Sequence, residues 1–115
     1  MDILFKKKRD RDLCNKNVML QKKFRGNPRR HKLIRDRLDE LADAENLDVM
    51  RHIPQAYCHE LKGKRKGQLA VKLDRGCRMV FEPSNDPVPK KEDGGLDWTQ
   101  VTAIRILKLT EDYHE

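Results

Sequence analysis

Aromatic residues are scarce in this chain: three Phe, two Tyr and one Trp, 5% of the sequence. That scarcity excludes a broad platform on which many bases stack. Long apolar runs are missing as well, and no stretch approaches the roughly 20 residues that a membrane-spanning helix requires. At the N-terminus the apolar run Ile3-Leu4-Phe5 precedes the basic run Lys6-Lys7-Lys8-Arg9. A secretory signal has the opposite order and a small-residue cleavage site, so a cytoplasmic protein with no membrane partner is expected. Cysteines number three, Cys14, Cys58 and Cys77, an odd count without close-paired spacing. They read as reduced thiols rather than a disulfide framework or a zinc set.

Charge, by contrast, is abundant: 39% of residues are charged and the formal net charge is +7. Its distribution is uneven. Residues 1–38 and 57–80 are strongly basic, whereas 39–56 and 81–115 are acidic. Such polarisation favours one positive surface able to attract a polyanion, although solvated Lys-rich helix faces give a similar pattern.

The 115 residues allow one domain with one modest core. Ile3-Leu4-Phe5 reads as a first strand and residues 6–24 as a helix, broken by Gly26-Asn27-Pro28. Asn27 is a good N-cap with Pro28 in the first helical position, and Leu33, Ile34, Leu38, Leu41 and Ala42 recur at helical spacing to about Ala44. Asp48 to Met50 adds a short turn, and Pro54 ends the helical half. Strands follow at residues 57–61, 68–73 and 77–81, separated by the glycine-bracketed turn Gly63–Gly67 and the tight turn Asp74-Arg75-Gly76. A long loop, 82–98, precedes a last strand from Val101 to Leu109 whose apolar content predicts a central place in the sheet. The expected fold is α+β, with an N-terminal strand and two helices packed on one face of a small antiparallel sheet.

The polar residues able to carry chemistry are His59, Glu60, Lys62, Arg78, Asp112, Tyr113 and His114. His59-Glu60 matches the start of a zinc-protease helix motif, but the second histidine is missing and the segment reads as a strand, so no metal site and no cofactor are expected. Strand alternation puts His59 and Lys62 on opposite faces unless the turn intervenes.

The run His59-Glu60-Leu61-Lys62-Gly63, then Lys66-Gly67, then Arg78-Met79-Val80-Phe81 and the terminal Asp112-Tyr113-His114 resembles the HigB branch of the RelE/ParE toxin superfamily. That family's signature is a strand with His-x-Leu-Lys-Gly, a hairpin, an Arg-containing strand and a terminal Asp-Tyr-His, and the whole chain fits its topology. Two features depart from it: the 82–98 loop is longer than in compact members, and Lys108-Leu109-Thr110-Glu111 is less apolar than usual. The resemblance implies a RelE-like fold and ribosome-dependent, metal-independent cleavage of mRNA. It also implies neutralisation by a HigA-like helix-turn-helix antitoxin, with operator DNA bound only through the antitoxin complex.

Such cleavage needs a base for the ribose 2′-hydroxyl, an acid for the leaving 5′-oxygen and cations for the phosphorane-like transition state. On the resemblance, His59 and His114 are the acid–base pair, and Asp112 either acts as base or fixes an imidazole tautomer. Lys62 and Arg78 neutralise phosphate charge, and Tyr113 stacks on a nucleotide or hydrogen-bonds the phosphate. Lys22, Lys23, Arg29, Arg30, Lys64, Arg65 and Lys66 are the expected contacts to ribosomal RNA, through phosphates. The rival expectations are a ParE-like gyrase inhibitor of the same fold and a regulatory nucleic-acid-binding member without toxicity.

Overall fold

In the computed structural model, which describes residues 1–113, strand β1 (Asp2–Phe5) leads into helices α1 (Lys8–Cys14), α2 (Asn17–Lys23) and α3 (Pro28–Asp43). The single expected helix over 6–24 is in fact two short ones. Cys14 and Leu20 are both buried, yet on a continuous helix they would point about 120° apart. Breaking the helix at Asn15-Lys16 lets each reach the core. Helix α3 forms as the sequence predicts. The Asn27 side chain accepts from the Arg30 backbone N–H, Pro28 occupies the first turn, and Ile34, Leu38 and Leu41 make one buried stripe.

Short 3-10 turns at Leu47–His52 and Pro54–Ala56 connect α3 to β2, which is only His59–Glu60. Strands β3 (Leu69–Lys72), β4 (Cys77–Pro83) and β5 (Ala103–Asp112) complete a five-stranded sheet of order β1-β5-β4-β3-β2. The α+β architecture is as expected, with one correction: β1 pairs parallel to β5 (Ile3 opposite Ile104), so the sheet is mixed rather than antiparallel. The connection between them runs through three helices and the other three strands, which is long enough to permit a parallel neighbour. Strand β5 is central, as its apolar content predicts, and it runs three residues beyond the expected end. The loop after β4 carries a bridge between Lys90 and Leu96 and a 3-10 turn at Trp98–Gln100.

One face of the sheet makes the core. Leu69, Val71, Met79, Phe81, Ile104 and Ile106 pack against Ile34, Leu38 and Leu41 of α3. Alternation sends Ala70 and Lys72 of β3, Arg78, Val80 and Glu82 of β4 and Arg105 and Glu111 of β5 to the opposite, outer face. Among the described residues no helix is long and apolar enough to cross a membrane.

Polar links from Arg37 and from the start of the helix tie α3 to the sheet. Arg37, 4% exposed, donates from Nε to the Lys72 carbonyl (2.8 Å), from Nη2 to the Gln55 carbonyl (2.9 Å) and from Nη1 to Glu40 (3.0 Å). At the helix start, Asn27 Nδ2 and Arg30 Nε bond the two oxygens of buried Asp74 in the β3–β4 turn, at 3.0 and 2.9 Å. Arg37→Met keeps the volume but strands two carbonyls and a carboxylate. It is expected to cost about 3 kcal/mol or more, read as a fall in the urea midpoint, and Arg37→Lys should recover only part of it. An unchanged midpoint for Arg37→Met would rule out this structural role.

Candidate functional site

The outer face gathers its chemistry around a half-buried carboxylate. Glu111 accepts from Arg78 Nε at 2.8 Å and from Arg65 Nη2 at 3.0 Å, and Arg65 Nε is held by Gln68 Oε1 at 2.8 Å. Burial opposes ionisation of Glu111, but the hydrogen bonds from Arg78 and Arg65 outweigh it, and the carboxyl is held below its ordinary value. Through Arg65 the β2–β3 turn crosses over the sheet. Ala70 and Val80 are fully buried on this face, so it is partly roofed rather than open. Arg78 is thereby fixed over the ring of Tyr113, 4.7 Å from its centroid. Its terminal Nη atoms make no hydrogen bond among the described residues.

His59 pairs in register with Ala70, which pairs with Val80, so its imidazole shares this face with Arg78. The ring stacks on Tyr57 with centroids 4.5 Å apart, and Nδ1 lies 2.8 Å from the Tyr57 carbonyl oxygen. A carbonyl only accepts, so Nδ1 carries the proton and the lone pair of the neutral ring sits on Nε2. Tyr57 itself has a left-handed backbone, φ 44° and ψ 53°. Tyr113 is anchored by its backbone N–H donating to the Gly76 carbonyl at 2.9 Å. Tyr57, Lys72, Tyr113, Pro54 and Gln55 line one concavity of about 430 Å³.

Of the residues singled out in the sequence, His59, Arg78 and Tyr113 share the outer face, Arg78 and Tyr113 in contact, with Arg65 joined to Arg78 through Glu111. Lys62 does not join them. Its backbone is still extended (φ −117°, ψ 174°), so alternation continues and turns it from the His59 side, and it makes no hydrogen bond or ion pair among the described residues. Asp112 is also displaced, because its register partner is the core residue Cys77 and its charge acts on Arg30 and Cys77 behind the sheet. His114 lies outside the described residues. Arg30 is committed to Asp74 and is not a free phosphate contact. Lys22, Lys23 and Arg29 are exposed, but on the helical layer packed against the other face of the sheet. Lys64 and Lys66 are exposed on the β2–β3 turn.

Three residues were missed. Lys72 stands opposite Arg78 across the β3–β4 hairpin, a register the turn Asp74-Arg75-Gly76 already implied. Glu111 and Tyr57 gave no comparable signal. The thiols play no part: burial raises Cys14 to about 11 and Cys58 to about 12, and Cys77 is raised by burial too. Among the described residues no group of three or more His, Cys, Asp or Glu is placed to hold a metal ion. Comparison of the chain with family models, with curated proteins and with solved structures gives no match.

A carboxyl with a depressed folded-state value stabilises the protein above its unfolded value and loses that contribution as pH falls. Glu111→Gln is therefore expected to cost about 1–2 kcal/mol at pH 7. The gap from the unsubstituted protein should close as pH drops through and below 4.5, the ordinary value of the group. Chemical denaturation at a series of pH values reads both, and a pH-independent gap would show that the ionised pair is not the cause.

Proposed function

We propose that this chain is a ribosome-dependent mRNA endoribonuclease toxin, cytoplasmic and held in check by a helix-turn-helix antitoxin. The observation that carries the reading is the arrangement of His59. Its Nδ1–H is committed to the Tyr57 carbonyl, its Nε2 is left with the lone pair, and it shares a face with Arg78 and Tyr113. The resemblance of the His-x-Leu-Lys-Gly and Asp-Tyr-His segments to the HigB branch of the RelE/ParE toxins supports it from the sequence side.

In this chemistry the 2′-oxygen of a ribose attacks the adjacent phosphorus. The P–O5′ bond breaks, leaving a 2′,3′-cyclic phosphate and a 5′-hydroxyl. His59 Nε2 takes the 2′-hydroxyl proton, and a second group protonates the departing 5′-oxygen. His114 is the candidate for that acid from the sequence. Arg78, oriented by Glu111 and by the Tyr113 ring, presents its two Nη groups as a fork to the non-bridging phosphate oxygens. Lys72 adds a second positive charge across the hairpin. The exposed Lys64 and Lys66 and the helical Lys22, Lys23 and Arg29 supply affinity for ribosomal RNA through phosphates, without sequence readout.

The test is induction of the chain in a bacterium beside His59→Ala and His114→Ala, with mRNA 5′ ends mapped by primer extension. Growth arrest with new cuts inside translated frames is expected, and loss of His59 should slow cleavage on the order of 10²–10⁴-fold. Arrest without cuts would replace the nuclease by a gyrase-type poison. Soluble but harmless protein would leave only a regulatory role.

A further inference from the structure

Tyr57 and Tyr113 reach the same concavity from separate parts of the chain, and Lys72 also lines it. Tyr57 is 56% exposed, although a ring of that size normally finds cover. Its backbone is in the left-handed region, at φ 44°, which costs a side chain with a Cβ and suits glycine. A strained residue holding an aromatic ring in solvent is poorly explained by folding. The charges beside it are also unbalanced. Lys72 and Arg78 are cross-strand partners of like sign, a destabilising pair unless an anion lies between or beside them. Glu111 serves Arg78 and Arg65, while Lys72 has no ion pair among the described residues. Both sides of the concavity are held rigidly, because Arg37 bonds the carbonyls of Gln55 and Lys72 from beneath.

We propose that this concavity binds one unpaired ribonucleotide of the RNA. Its base stacks against the Tyr57 and Tyr113 rings, and an adjoining phosphate sits on Lys72 beside Arg78. Tyr57 is then a substrate-binding residue that places the neighbouring ribose within reach of His59, on which its own ring is stacked. The proposal rests on the RNA-cleaving reading and names the part of the substrate that its site grips. Stacking tolerates any base, so the pocket selects for an unpaired nucleotide and not for a particular one.

The experiment is a titration of the full chain with a 2′-O-methyl triadenylate, which lacks the attacking hydroxyl, and with the same backbone stripped of bases. Tyr57→Phe should bind the triadenylate as the unsubstituted protein does. Tyr57→Gly should bind it on the order of ten- to a hundredfold more weakly while melting at the same or a higher temperature, because the strain is relieved. Neither substitution should alter binding of the abasic backbone. Lys72→Met should lower the slope of log affinity against log salt by about one. Equal affinity for intact and abasic backbones, undiminished binding by Tyr57→Gly, or no binding at all overturns the proposal. Base-independent binding alongside mRNA cuts on induction overturns the pocket alone. Tyr57-dependent binding with uncut mRNA overturns the nuclease reading and leaves the pocket standing.

Discussion

The guanidinium of Arg37 lies beneath the candidate site and has almost no access to water. An ion there persists only if its donors are met, since an isolated buried charge is far more costly than a buried apolar group. The partners it finds are two backbone carbonyls and Glu40. Gln55 lies within the turn that presents Tyr57, and Lys72 is the last residue of β3. One helical side chain thus fixes both walls of the concavity to the most regular element of the fold. The Asn27–Asp74–Arg30 contacts do the same for the hairpin turn beyond. Burial opposes ionisation of Asp74, yet those hydrogen bonds hold its carboxyl below the ordinary value. Helix α3 therefore positions the outer face although it packs on the inner one.

Electrostatics divide the molecule in the same way. The helical layer carries exposed lysines and arginines, and the outer face carries Arg65, Lys72 and Arg78 around a single shared carboxylate. Without Glu111 the two arginines and the lysine would repel one another at close range. With it, Arg78 is oriented and its terminal amino groups stay uncommitted. The sheet separates these two positive regions, so on the proposed reading phosphate affinity and chemistry draw on different side chains. The +7 of the chain is two surfaces, not the one that the charge runs along the sequence implied.

The elements were legible where a local rule governs them. The cap and stripe of α3, the β3–β4 hairpin and the apolar, central β5 all follow from short-range pattern. The break between α1 and α2 was not legible, because it is forced by where Cys14 and Leu20 must point once the sheet exists. The parallel pairing of β1 is likewise a tertiary choice. For the site, residue type identified His59, Arg78 and Tyr113, but facing decided membership. Asp112 and Lys62 have suitable chemistry and fall on the wrong side of an alternation. Glu111 entered as a departure from an apolar pattern, and its meaning depends on Arg65 arriving from a turn 46 residues away.

Strand β2 is only two residues long, and a pairing that short has little stiffness of its own. The position of His59 must come from elsewhere, and the geometry supplies it. The imidazole is held by the carbonyl and the ring of Tyr57, Tyr57 by the turn at Pro54–Ala56, and that turn by Arg37 through Gln55. The left-handed backbone at Tyr57 is the step in this chain where conformational preference is overridden. A glycine there would relax the turn and lose the ring, whereas an extended residue would move both the carbonyl and the ring away from His59. Strain at one residue is thus the means by which a buried arginine sets the tautomer and place of a histidine on the other side of the sheet.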